Sequence, residues 1–218
     1  MFDDRIQAGI ELAGKLQRFS GKDVVVLGIP RGGVVVANEV AKALGAPLDV
    51  IVAKKIGAPG EPEYALGAVA EDGAVVMNRE EAALIGTSES YIQDQAREKR
   101  SEIKERLQRL RGEAPQPEVK GKTVIIVDDG IATGSTVEAA VASVRMRQPG
   151  KVVVAVPVAP VDAVQRLSED GVEVVCLYSP TPFFAIGEFY RDFGQVDDAE
   201  VKRILENDRA GRNTRQPS

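Results

Sequence analysis

Val124-Ile125-Ile126-Val127-Asp128-Asp129-Gly130-Ile131-Ala132-Thr133-Gly134-Ser135-Thr136 runs from four apolar residues through two adjacent carboxylates into a loop of glycines and hydroxyls. An unbroken apolar run of this length fits a strand buried on both faces, as in a parallel sheet. A helical stretch over 135–147 follows at once, so the segment reads as strand, turn and helix. At such a junction the loop amides and the helix N-terminus present several N–H donors and a partial positive charge, which suits a phosphate dianion. Thr133, Ser135 and Thr136 add hydroxyl donors, while Gly130 and Gly134 permit a tight turn and close approach. Adjacent carboxylates beside a phosphate would repel it, so Asp128 and Asp129 call for a sugar diol or a Mg²⁺ ion. A phosphorylated polyol satisfies both halves of the motif. A Walker A loop would need lysine where Ser135 stands. An ordinary helix capped by Ser135 or Thr136 has no use for the Asp pair.

Working outward, the pattern repeats. Val24 to Ile29 is a second short apolar run, and after Pro30-Arg31-Gly32-Gly33 the apolar residues Val34, Val36, Ala37, Val40, Ala41 and Leu44 take up helical spacing as far as Gly45. Leu48 to Ala53, Val152 to Val156 and Val172 to Leu177 read as further strands, the last two separated by a helix around Asp162 to Glu169. This alternation predicts an α/β fold: an open, mostly parallel twisted sheet of about five strands flanked by helices. Ahead of it, Ile6, Ile10, Ala13, Leu16 and Phe19 make one stripe on a helix over 3–19. Gly57 to Pro62 looks too rich in Gly and Pro for regular structure, and a hairpin around Glu71-Asp72-Gly73 follows it. The region 57–87 is therefore expected to be a flexible loop and hairpin insertion. Residues 88–111 form a long charged helix with Glu102 and Glu105 four residues before Arg106 and Arg109, which reads as a solvated face. A short helix over 197–207 closes a single domain of residues 1–207, and 208–218 is expected to be a disordered tail.

The bulk composition removes several classes of function. Hydrophobic residues make up 44% and charged residues 28%, as in globular proteins. A net charge of -5 repels polyanions, so nucleic acid is not an expected partner. No apolar run approaches the roughly 20 residues of a membrane span, and the acidic start is unlike a signal peptide, which together point to the cytoplasm. The chain has no histidine and one cysteine, Cys176, expected as a small buried strand residue. Imidazole-based triads and imidazole metal sites are thereby excluded, as are an internal disulfide and thiolate metal cages.

The stretch Val124–Thr136 resembles the signature of type I phosphoribosyltransferases: four apolar residues, two acids and a loop ending Thr-Gly-x-Thr. The resemblance implies that Asp128 and Asp129 contact the ribose 2- and 3-hydroxyls and that residues 131–136 hold the 5-phosphate of 5-phosphoribosyl 1-pyrophosphate. Ile29-Pro30-Arg31-Gly32-Gly33 resembles the family's pyrophosphate loop, which often contains a strained peptide bond. Arg31 suits bidentate contact with phosphate oxygens, and the glycines admit backbone amides. Lys54-Lys55 resembles the basic pair before the family's mobile catalytic loop. All three segments fall at one edge of the predicted sheet, where α/β proteins bind ligands. Lys55 to Glu63 and Phe189 to Phe193 are similar to a bacterial subgroup whose acceptor is not assigned.

What the family does implies a phosphoribosyltransferase: the 5-phosphoribosyl group passes to a nitrogenous acceptor and pyrophosphate departs. Arg31, Lys55, Asp128 and Asp129 would form the catalytic set, with Gly32, Gly33 and Lys54 on the pyrophosphate. Mg²⁺ would assist, held by Asp128 and Asp129 through substrate or water. Members with 6-oxopurine acceptors carry Asp where this chain has Ala132, which argues against such an acceptor. The segment 179–195 falls where the family forms a hood over the nucleobase. There Phe183, Phe184, Phe189 and Tyr190 offer ring faces and Glu188 and Arg191 offer edge contacts, with packing of the aromatics on the sheet as the competing reading. Glu63 and Tyr64 lie in the presumed mobile loop. Family members are commonly homodimers. Two other functions fit the same residues, a module that senses the phosphoribosyl donor without turnover and a Mg²⁺-dependent sugar-phosphate hydrolase.

Overall fold

The computed structural model describes residues 1–213. In chain order its elements are α1 (Arg5–Lys15), β1 (Val24–Gly28), α2 (Gly32–Leu44), β2 (Leu48–Val50), β3 (Lys54–Ala58), β4 (Glu61–Val69), β5 (Val75–Met77) and α3 (Arg79–Leu84). Then come α4 (Glu89–Leu110), β6 (Thr123–Val127), α5 (Ser135–Met146), β7 (Lys151–Val158), α6 (Val161–Glu169), β8 (Glu173–Tyr178) and α7 (Asp198–Asn213).

Strands β2-β1-β6-β7-β8 make one sheet in that order, each neighbouring pair parallel. Val24 and Val26 of β1 and Ile125 and Val127 of β6 pack with α1, α2 and α7. Val25, Leu27, Val124 and Ile126 pack on the opposite face with α5 and α6. Side chains alternate between faces along a strand, and here helices cover both, so each strand is an unbroken apolar run. From β1 the chain goes outward to β2, and from β6 it goes the other way to β7. That reversal opens a crevice at the carboxyl ends of β1 and β6, where Pro30–Gly33 and Asp128–Thr136 emerge.

Four local expectations are corrected. The helix over 3–19 stops at Lys15, and its buried side is Ala8, Gly9, Leu12 and Ala13, while Ile6 and Ile10 are 49% and 59% exposed. Small residues win because α1 lies close on α2: a methyl at Gly9 would stand 2.9 Å from the Val36 carbonyl. The insertion is not a loop but a three-stranded antiparallel sheet, β3-β4-β5, followed by α3. Pro59-Gly60 turns the first hairpin with Gly60 at φ 83°, and the register shifts at Gly57 accommodate the irregular sequence. The expected hairpin at 71–73 does form, with Ala70 and Ala74 bonded across it.

Helix α4 is the third correction. Ala96, Ile103 and Leu110 are buried, two of them against Val52, Ile56 and Val69, so the helix covers the inserted sheet. Glu102 bonds to Lys99 at 2.8 Å and to Lys54 of β3 at 3.0 Å, while Arg106 pairs with Asp198 of α7 at 3.2 Å. Some of its charges are spent between elements, while others, such as Asp94 and Arg97, stay on a solvated face. Finally, α7 continues through 208–213, where Asp208 accepts from the Leu48 amide at 3.3 Å and Arg212 bonds to Asp208 and the Ala46 carbonyl. The polar composition of that segment caps the β2 edge. Residues 214–218 of the expected tail lie outside the described residues.

Candidate functional site

Gly32 and Gly33 open α2 directly against the end of β6. A methyl at Gly32 would stand 1.9 Å from Asp129 Oδ2, and one at Gly33 would stand 2.7 Å from the Asp128 Cα. An approach this close admits glycine alone, so the Arg-Gly-Gly turn fits around the Asp pair. The Pro30–Arg31 peptide is cis.

No side chain caps α5, which begins after Gly134 at φ 93°, nor α2. Helix α6 is likewise uncapped behind Pro160, whereas Asp4, Asn78 and Ser88 cap α1, α3 and α4. The first amides of α5 therefore have no side-chain acceptor, which removes the reading of Ser135 or Thr136 as a cap. Arg166 of α6 donates to the Thr133 carbonyl at 2.7 Å and so fixes the loop from behind. Nothing in the loop's own sequence pointed to it.

The two acids are not equivalent. Asp129 Oδ2 accepts from Arg5 Nε at 2.7 Å, and Arg5 Nη1 donates to the Gly194 carbonyl at 2.8 Å. The guanidinium lies 3.9 Å from the Phe193 ring centroid and its side chain is 12% exposed. Burial first, and the Asp129 charge second, push the Asp128 carboxyl well above the ordinary range. The Asp129 amide, donating to Asp128 Oδ1 at 2.8 Å, and Arg5 offset this only in part. A raised folded-state pKa means that stability is present below about pH 4 and is lost as the pH rises through the raised value. Asp128→Asn keeps the oxygen that accepts from the Asp129 amide and removes the desolvated charge. It is expected to raise Tm by a few degrees at pH 8 and by almost nothing at pH 4. Calorimetric melting at both pH values checks this, and an equal gain at both would rule out the assigned cause.

A cavity of about 470 Å³ adjoins the Asp pair's crevice, lined by Pro30, Lys54, Lys55, Ser135 and Thr136 and by the α4 side chains Arg106 and Arg109. The structure thus brings together residues 106 positions apart in the chain, Pro30 and Thr136. Arg31 points toward α4 and α7, its Nη1 4.0 Å from Asp198 Oδ1.

Residues 3–190 match the phosphoribosyl transferase domain family. The chain belongs to that family. Relatives in two strains of Mycobacterium tuberculosis, CDC 1551 / Oshkosh and H37Rv, are each named "Putative phosphoribosyl transferase" and are 46% identical over 213 residues. The match covers 98% of this chain and 48% of each relative, so the chain spans about half the length of the curated relatives it matches. The crystal structure of TT1426 from Thermus thermophilus is similar at TM-score 0.88 and 47% identity, over 94% of this chain and 98% of that one. A Neisseria gonorrhoeae protein solved with bound ppGpp shares the fold at TM-score 0.51 and 16% identity, over 95% of this chain and 94% of that one.

In this phosphoribosyl transferase domain the hood is stitched to the N-terminus. Phe2 pairs with Tyr190, its amide donating to the Phe189 carbonyl at 2.8 Å and its carbonyl accepting from the Arg191 amide at 2.9 Å. Tyr190 is buried between Phe2 and Phe193, and its hydroxyl donates to the Asp129 carbonyl at 2.6 Å. It ties the hood to the Asp pair and presents no open face for stacking. Phe183 stacks on Phe189, centroids 5.7 Å apart, while Phe184 is 76% exposed. Arg191 pairs with Asp3. Tyr64 donates to Glu81 of α3, which pushes its phenol up, and the Glu63 side chain lies outside the described residues. Cys176 is half-buried in β8 and burial raises its thiol. No helix among the described residues is long and apolar enough to cross a membrane.

Proposed function

We propose that the chain transfers the 5-phosphoribosyl group of 5-phosphoribosyl 1-pyrophosphate to a nitrogenous acceptor, with pyrophosphate as the leaving group. The observation that carries this reading is the cradle of Gly32 and Gly33 around Asp128-Asp129, beside the uncapped start of α5. On this reading the diol site, the monoester-phosphate site and the second phosphate-binding turn all belong to the crevice at the carboxyl ends of β1 and β6. Loop 131–136 binds the 5-phosphate, Asp128 and Asp129 accept from the ribose hydroxyls, and Arg31, Lys54 and Lys55 meet the pyrophosphate. The bond from the anomeric carbon to pyrophosphate breaks as the acceptor nitrogen bonds to that carbon, and the nitrogen's proton leaves to solvent. Cations on the leaving group and exclusion of water do most of the catalytic work.

The described residues hold no group of three or more carboxylate, thiol or imidazole ligands, and Asp129 is already paired with Arg5. The two carboxylates therefore fit a Mg²⁺ ion that arrives with the donor and is shared through its oxygens or water. Such an ion would neutralise charge on the departing pyrophosphate. Exposed Ala132 supplies no acid at the loop, so the acceptor expected is a nucleobase other than a 6-oxopurine.

The test is release of pyrophosphate from labelled donor across a nucleobase panel. Release only when a base is present supports transfer, whereas tight donor binding without turnover supports a sensor. The doubly substituted protein, Asp128→Asn with Asp129→Asn, is expected to lose donor binding in calorimetry. Unchanged affinity would remove the site assignment.

A further inference from the structure

One face of α4 lines the cavity. Arg106 and Arg109 reach it beside Pro30, Lys54 and Lys55. The same two arginines and Arg31 gather around a single carboxylate, Asp198 of α7: Arg106 Nη2 at 3.2 Å, Arg31 Nη1 at 4.0 Å and Arg109 Nε at 4.0 Å. Asp198 Oδ1 is buried and accepts no aligned hydrogen bond, while Oδ2 accepts a single long one from Arg106 Nη1 at 3.4 Å, so the carboxylate balances charge without saturating any guanidinium. Three guanidiniums around one carboxylate leave two positive charges over, and the other charged groups lining the cavity, Lys54 and Lys55 against Glu102 and Glu105, balance one another and leave that excess in place. Like charges crowd together at such distances where an oxyanion compensates them, and guanidinium forks suit phosphate oxygens above other anions.

We infer that Arg106 and Arg109 form a second wall of the donor site, binding the pyrophosphate from the side opposite the Pro30–Gly33 turn, and that the carboxylate of Asp198 competes with it for them. The inference rests on the phosphoribosyltransferase reading, and it makes α4, the helix that covers the inserted sheet, a part of donor recognition.

The probes are inorganic pyrophosphate and ribose 5-phosphate, titrated calorimetrically into the full chain. Arg106→Gln and Arg109→Gln are each expected to weaken pyrophosphate about tenfold while ribose 5-phosphate stays within about twofold. Asp198→Asn is expected to tighten pyrophosphate severalfold, which a merely structural role for the arginines would not produce. Arg109 is 61% exposed, so its substitution reports even where Arg106→Gln fails to fold. Variants that bind pyrophosphate as the parent does, or that lose both probes equally, overturn the inference and leave the transferase reading standing. A parent protein that binds neither probe overturns both.

Discussion

Arg111→Met is expected to destabilise the protein by about 3–5 kcal/mol, the cost of leaving buried carboxylates without their cation. At roughly 2–4 °C per kcal/mol for a chain of this size, Tm falls by about 10 °C. Arg111 sits just past the end of α4, with Asp49 of β2 at 2.8 Å and Glu71 of the β4–β5 turn at 3.1 Å. It also donates to the Val50 carbonyl at 2.9 Å, and Arg209 of α7 stands 3.7 Å from Asp49. Nε of Arg111 and Asp49 Oδ2 lack hydrogen-bond alignment, so that contact is mainly coulombic. Burial opposes the Arg111 charge, yet the two carboxylates outweigh it and hold the guanidinium above its ordinary pKa. Burial pushes Glu71 above the usual carboxylate range, with Arg111 and the Val52 amide restraining it. Without Arg111 that rise grows, so the deficit of the variant shrinks as the pH falls and Glu71 takes up its proton. Thermal melts from pH 4 to 8 measure this. A loss below about 0.5 kcal/mol, the range of an ordinary surface change, would show that the cluster does not clamp the insertion to the sheet.

Arg5→Gln has the second-largest expected effect, about 3 kcal/mol, because it strands Asp129 beside an already desolvated Asp128. Its functional consequence is separate from its cost in stability. Arg5 joins Asp129, the Gly194 carbonyl and the Phe193 ring, so it couples the Asp pair, the proposed diol site, to the segment around 193–194. Donor affinity is expected to fall at least tenfold, and adding Asp129→Asn to Arg5→Gln is expected to recover much of the stability and none of the affinity. Equal recovery of both, measured by melting and calorimetry on the four proteins of the cycle, would show that Arg5 acts only as a structural partner.

Much of the site was legible because its chemistry is local. The strand, Asp pair and hydroxyl loop of Val124–Thr136 are contiguous, and the glycines of 32–33 announce a close approach before any coordinates say to what. Arg5, Arg166, Arg106 and Arg109 were not legible, since an arginine on a helix looks the same whether it faces water or a carboxylate from another element. The α1 stripe held at Ala13, Leu16 and Phe19 but failed at Ile6 and Ile10 for a related reason: counting large apolar residues misses a face built from Ala8 and Gly9, whose smallness is the contact. Residues 57–62 were misjudged because Gly and Pro were read as breakers, whereas Pro59-Gly60 serves as the turn of a hairpin and Gly57 as its irregularity.

By itself, the sequence determined the parallel sheet, through unbroken apolar runs that only a doubly covered strand requires, and it held within a few residues of one another the donors and acids of Val124–Thr136 on which the proposed phosphate and diol chemistry rests. Only the tertiary structure decided which cations serve that segment. The order β2-β1-β6-β7-β8 sets two distant turns side by side, and the docking of α1, α4 and α7 brings Arg5 to Asp129 and two α4 arginines to the cavity. Charge acts through space rather than along the chain, so the partners of Asp128 and Asp129 became visible only once the helices were packed.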